Sequence, residues 1–187
     1  GALFAGNAFP EDAKDHDPAK MMELMKKYAR VGEHHKKLEY FVGKWKSEIH
    51  IDMGQGMVPE GGGGEDEFRW QIPGRFLIGE TKGTMMGRPS QMFMILGYDN
   101  VKMKYVCTHA SSLETALRHS EGVICDPEGK VIVTYGTIDE YLTGEHDKEA
   151  KYLWRFLDKD HFNLEVYDLG IGESGRKVME FRYTKVK

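Results

Sequence analysis

The stretch "YVCTHASS" sets Tyr105, Cys107 and His109 on alternate positions, and His119 follows shortly after. Alternation of this kind puts all three on one face of a strand. Imidazole can ligate a haem iron or another metal, or hold a bound molecule by a hydrogen bond. It can equally be a core side chain satisfied by a threonine or a backbone group. A thiol becomes a nucleophile only beside a base that activates it. His109 lies along the same strand face as Cys107 and need not reach it, so Cys107 reads as a small buried hydrophobe.

Other constellations are weaker. Glu39 follows His35 by four residues, the spacing of a metal pair on one helix face, with His34 alongside. No third ligand is in view, and a solvated helix face accounts for the pattern. Gly172-Glu173-Ser174-Gly175 lacks the Gly-x-Ser-x-Gly spacing of a nucleophile elbow. Gly61-Gly62-Gly63-Gly64 has neither the Lys-Ser/Thr partner nor the following helix of a phosphate loop, and reads as a flexible connection. Glu180, Arg182 and Arg155 fall on the charged side of their strands and read as surface pairs. No catalytic residue, metal ligand or cofactor is assigned from these residues.

Composition narrows the classes. The chain has 187 residues, 30% charged and 40% hydrophobic, with a net charge of −4. That is enough for one domain with a core, and too apolar for a disordered chain. No basic stripe follows a phosphate backbone, so nucleic acid is not an expected partner. No apolar run reaches bilayer length, so no transmembrane helix is expected. Cys107 and Cys125 are the two cysteines, which make neither a disulfide framework nor a four-ligand zinc site. The start of the chain lacks the cationic and apolar regions of a signal peptide. A cytoplasmic protein and an exported one whose leader is absent from this chain both fit. Oligomeric state is not legible.

The elements that must position these groups follow from periodicity. Residues 1–17 read as a polar tail and 18–187 as one domain. Asp17-Pro18 predicts a helix start, and Met21, Leu24, Met25, Tyr28 and Val31 continue at helical spacing. From Gly43 the period changes to 2: Trp45, Ser47, Ile49 and Ile51 alternate with Lys44, Lys46, Glu48 and His50. The pattern recurs through about ten strands joined by short turns, with no helix between them. Asp126-Pro127-Glu128-Gly129 predicts a type I turn closed by a left-handed glycine. The predicted fold class is all-β: an antiparallel up-and-down barrel of about ten strands, with the N-terminal helix plugging one end.

Two resemblances bear on this. A short helix followed by Gly43-Lys44-Trp45 on the first strand of a meander resembles the lipocalin and calycin barrels. The segments "MMELMKKYARVGEHHKKLEYFVGKW", "PGRFLIGETKGTMMGRP", "LGYDNVKMKYV", "LDKDHFNLEVYD" and "KVMEFRYTK" resemble the bacterial DUF1579 family. That resemblance implies a lipocalin-like barrel and no assigned activity. The chain departs from the pattern at "YVCTHASS", where His109 replaces an aromatic residue and Ser111 an acid.

Strand alternation then predicts an orientation. Trp45, Arg75, Met103 and Tyr183 fall at the plugged end, with Arg75 stacked on Trp45 or held in a salt bridge. A three-residue turn over Ala110–Ser112 pairs His109 with Leu113 and Cys107 with Thr115. The next turn sets Thr137 opposite His119 and Tyr135 opposite Glu121. Glu114 and Arg118 then point outward. The inner face predicts a pocket lined by Phe68, Trp70, Tyr105, His109, Leu117, His119, Tyr135, Trp154, Leu164 and Phe181, with Met92 or Met94. Apolar walls with few polar anchors suit a small apolar or amphipathic ligand. Two other readings stay open: a haem- or metal-dependent protein or enzyme using the inner histidines, and a structural barrel filled by its own side chains.

Overall fold

The computed structural model of the protein describes residues 17–52, 56–141, 143–169 and 175–187. Gly172-Glu173-Ser174 therefore lies outside the described residues. Helix α1 (Pro18–Tyr28) starts as the sequence predicts, with Asp17 Oδ1 accepting from the Ala19 N–H at 2.9 Å and Pro18 in the first turn. It ends at Tyr28 and none of its side chains is buried.

A second helical stretch opens the barrel domain. Helix α2 (Glu33–Lys37) runs into a 3-10 turn (Leu38–Phe41). Ten strands follow: β1 (Gly43–Asp52), β2 (Met57–Ile72), β3 (Phe76–Met85), β4 (Arg88–Asp99), β5 (Lys104–Ser111), β6 (Arg118–Ile124), β7 (Val131–Ile138), β8 (Lys148–Asp158), β9 (His161–Asp168) and β10 (Arg176–Lys185). Each pairs antiparallel with the next, and β1 pairs with β10 to close the barrel. Closure leaves no unpaired strand edge.

The Gly61–Gly64 run corrects the expectation of a loop. It lies within β2, laddered to β1 on one side and β3 on the other. Gly62 has φ of +121°, and a Cβ there would stand 2.1 Å from Thr84 O. Only glycine accepts both conditions, so glycine here serves close approach of the neighbouring strands. The Asp126–Gly129 turn matches its expected form: Gly129 has φ of +68° and its N–H donates to Asp126 O at 3.1 Å.

One end of the barrel is filled. Leu38 and Phe41, both on the 3-10 turn, are buried there with Trp45, Phe68, Leu77, Phe162 and Tyr183. The rings interlock. Phe162 stacks on Tyr183 at 4.2 Å between centroids, and Trp45 and Phe41 meet Phe162 edge-on at 4.8 and 5.1 Å. Such geometries are the favourable ones for aromatic pairs. The Trp45 indole N–H donates to Phe41 O at 2.7 Å, which ties the turn to the first strand. Tyr40 adds a second tie across the seam, its hydroxyl lying 2.7 Å from His161 O. The cation over Trp45 corrects the expectation for Arg75: it is Lys185, with Nζ 5.0 Å from the ring.

Trp45 is fully buried, so its loss leaves a cavity and an unpaired Phe41 carbonyl. Trp45→Ala should cost about 3–5 kcal/mol of stability by denaturant unfolding. A loss below about 1 kcal/mol would show that the ring cluster does not hold this end together.

Candidate ligand cavity

The other half of the barrel is not filled. A cavity of ≈ 370 Å³ lies inside it. Its wall combines Met85, Met92, Met94 and Met179 with Tyr152, Trp154 and Phe181, and the aliphatic Leu164 and Val166. It reaches solvent between the β5–β6 and β7–β8 connections, where the lining residues Leu113 and Tyr141 are exposed. Methionine at these positions leaves a deformable wall. β10 adds two consecutive residues, Val178 and Met179, because a register irregularity between Lys177 and Met179 turns both inward.

Of the residues the sequence singles out, His109, Trp154, Leu164 and Phe181 line this cavity, with both Met92 and Met94. Phe68 and Tyr105 face inward but belong to the filled end. There the Tyr105 hydroxyl meets His34 Nδ1 at 3.0 Å. Trp70 is half-buried and gives its indole N–H to Glu39 Oε2 at 2.7 Å. That bond takes the carboxylate expected beside His35. His35 itself is buried rather than solvated, and its Nδ1 accepts from the Gly32 N–H at 3.2 Å. Among the described residues no cluster of three or more His, Cys, Asp or Glu side chains could hold a metal.

Leu117, His119 and Tyr135 are corrections. All three stand outside, with Leu117 72% and Tyr135 51% exposed and the His119 ring half in solvent against Thr108. The cause is a single register. His109 pairs with Arg118, not with Leu113, so residues 112–117 form the connection and β6 begins five positions later than expected. An odd slip exchanges the two faces of a strand. The β6–β7 register is as expected, with Glu121 opposite Tyr135, so β7 inherits the exchange. His119 therefore cannot share a bound group with His109 inside the barrel.

The same exchange brings Glu114 and Arg118 into the cavity wall, where sequence reasoning did not place them. Arg118 Nε lies 2.8 Å from Glu114 Oε1 and its Nη2 2.5 Å from Oε2, a two-point pair. The Tyr141 hydroxyl donates to the same carboxylate at 2.5 Å, joining the two connections at the mouth. The Arg118 guanidinium holds the Glu114 carboxyl below its usual range. The one available signal was the four-residue spacing of Glu114 and Arg118, opposite charges flanking a possible turn.

Deeper in, burial pulls the His109 imidazole below its ordinary range, with Arg118 adding to the effect, so the ring is neutral at neutral pH. The Tyr152 ring meets it edge-on, 6.2 Å between centroids. Burial also pushes the Cys107 thiol up to about 12. A buried thiol that resists ionisation fits the reading of Cys107 as a small buried hydrophobe. The Ser120 hydroxyl donates to Thr134 Oγ1 at 3.1 Å and is satisfied.

Fold and site together define a closed antiparallel barrel of ten strands, blocked at one end by aromatic rings and hollow at the other. A family model described as "Protein of unknown function (DUF1579)" matches residues 30–185, and the chain belongs to that family. Among solved structures, the chain is similar to the crystal structure of Rv2717c from M. tuberculosis, with 14% identity and a TM-score of 0.60 over 84% of this chain and 100% of that one. At that identity the likeness is one of fold. No curated protein matches the chain.

The two thiols should separate cleanly, since Cys107 is buried and Cys125 exposed. A thiol-specific chromogenic disulfide at about pH 8, near the unperturbed thiol range, should titrate Cys125 quickly and Cys107 only after denaturation. Fast reaction of both in the native protein would contradict the burial of Cys107.

Proposed function

We propose that the protein is a binding barrel that takes a small, mostly apolar or amphipathic molecule into its cavity, in the manner of the lipocalin-like barrels it resembles. The observation that carries this reading is the hollow half of the barrel. Its ≈ 370 Å³ falls within the range of about 300–1,000 Å³ common to small-molecule sites. A barrel with a purely structural interior would fill that space as the other end is filled.

The wall favours the same reading. It is almost wholly apolar, so an apolar ligand gains free energy by leaving water. Among its polar groups, Glu114 and Arg118 neutralise each other. The side chains of His109 and Tyr152 make no hydrogen bond to another described residue and are available to orient a ligand.

An environment-sensitive apolar dye should gain fluorescence on titration with the protein. Trp154→Ala should weaken that binding by removing a wall. Val166→Trp should place an indole in the cavity and reduce dye affinity by about tenfold or more, a loss of at least about 1.4 kcal/mol. Both variants are checked for a native circular dichroism spectrum. Undiminished binding in a folded Val166→Trp would place the dye elsewhere and contradict the proposal.

A further inference from the structure

Behind the main cavity lies a second space of ≈ 10 Å³, room for one water-sized group. Met85, Met92, Ser111 and Phe181 line both spaces, so the two adjoin. Their chemistry differs. The main cavity is apolar, whereas the chamber is ringed by hydroxyls, among them Ser47, Thr81 and Thr84, and by the carboxyl of Asp66.

Asp66 sits mid-strand on β2, only 3% exposed. The Thr81 hydroxyl donates to Oδ1, while Oδ2 is buried with no hydrogen-bond partner among the described residues. A buried carboxylate oxygen without a donor is costly, and proteins seldom keep one without a reason. Among the described residues no cation lines the chamber. With Glu114 paired to Arg118 and His109 neutral, Asp66 is the one carboxyl among the described residues of the two linings that has no cationic partner.

We infer that this chamber is a head-group subsite, and that the ligand is an amphipathic primary amine. Its ammonium occupies the chamber and donates to Asp66 Oδ2, while its apolar part fills the main cavity. The inference rests on the binding role proposed above and adds the class of ligand. An ammonium fits on three counts. It is about the size of a water molecule, it supplies three donors, and the chamber offers acceptors in the carboxylate and the surrounding hydroxyls. A carboxylate head group would face Asp66 with no cation to offset the repulsion. An alcohol could hydrogen-bond but would leave the charge unpaired.

The geometry also fixes a pH dependence. Burial pushes the Asp66 carboxyl up, against the Thr81 hydrogen bond and the nearby Ser47 hydroxyl. The titratable group facing it is Tyr183 from β10, whose phenol burial also pushes up. The chamber residues from β1, β3, β4 and β5 carry no charge. A protonated Asp66 must release its proton to solvent when the ammonium binds. Amine affinity therefore falls as pH falls through the Asp66 pKa of the empty barrel, and alcohol affinity does not.

Calorimetric titration with decylamine, decanol and decanoate, below their aggregation limits, tests this on the wild type and on Asp66→Asn. Decylamine should bind wild type about tenfold or more tighter than decanol, as a charged hydrogen bond implies, with decanoate weakest. Asp66→Asn should abolish that preference while decanol still binds. An amine that binds no better than the alcohol, or a preference that survives Asp66→Asn, overturns the inference and leaves the binding role standing. If none of the three binds wild type, the binding role fails and the inference with it. Should Asp66→Asn not fold, the wild-type pH series decides. Loss of the amine preference on acidification supports the subsite, and a preference independent of pH overturns it.

Discussion

The hydrogen bond from the Trp45 indole to the Phe41 carbonyl, with the rings packed around it, is the constraint on which the architecture turns. A closed barrel has a single inner face, and its volume must be filled or left empty. At this end the 3-10 turn Leu38–Phe41 delivers two apolar side chains onto Trp45, Phe162 and Tyr183, and the space is used up. The indole donor keeps the turn from lifting away. Burial of these residues is the main favourable term in the domain. Among the described residues the other half has no such turn inserted into it, and its inner residues, methionines with Tyr152, Trp154 and Phe181, form a wall around a space they do not fill. The cavity follows from that uneven filling.

Charge is distributed just as unevenly. The outside of the sheet carries pairs such as Arg155–Glu165 and Arg182–Glu180, in which a half-exposed arginine covers a buried carboxylate. Inside, one neutralised pair sits at the mouth and one unpaired carboxyl lies deep behind the methionines. The mouth pair has a mechanical consequence. Glu114 accepts from both Arg118 and Tyr141, so the β5–β6 and β7–β8 connections are joined where a ligand would enter. The deep carboxyl has a chemical one, since it leaves an acceptor open at the far end of an apolar space.

The period of the sequence carried the fold. Alternation from Gly43 onward, with short turns, is enough to predict ten strands and an up-and-down closure, and the ladder order matches. Turn chemistry was legible where a residue type forces it, as at Gly129, and misleading where glycine serves another purpose, as in β2. Faces were legible within a strand but not between strands. Trp154, Leu164 and Phe181 came out inside because their own alternation is unambiguous. Leu117, His119 and Tyr135 came out wrong because the length of one connection sets the register, and connection length leaves no periodic trace. The same gap hid Glu114 and Arg118. Val178 was hidden by a β-bulge, which breaks alternation locally without a mark in the residue types.

The central claim is that the hollow half of the barrel holds a ligand. Methionine methyl resonances test it directly, because the eleven methionines divide by place. Met85, Met92, Met94 and Met179 line the cavity, whereas Met21, Met22 and Met25 lie exposed on α1. With methyl-labelled methionine and decanol as the added molecule, the account predicts saturable shifts of the cavity methyls and none of the α1 methyls. Shifts confined to α1, or no shift at any cavity methyl up to the solubility limit of the alcohol, would contradict it.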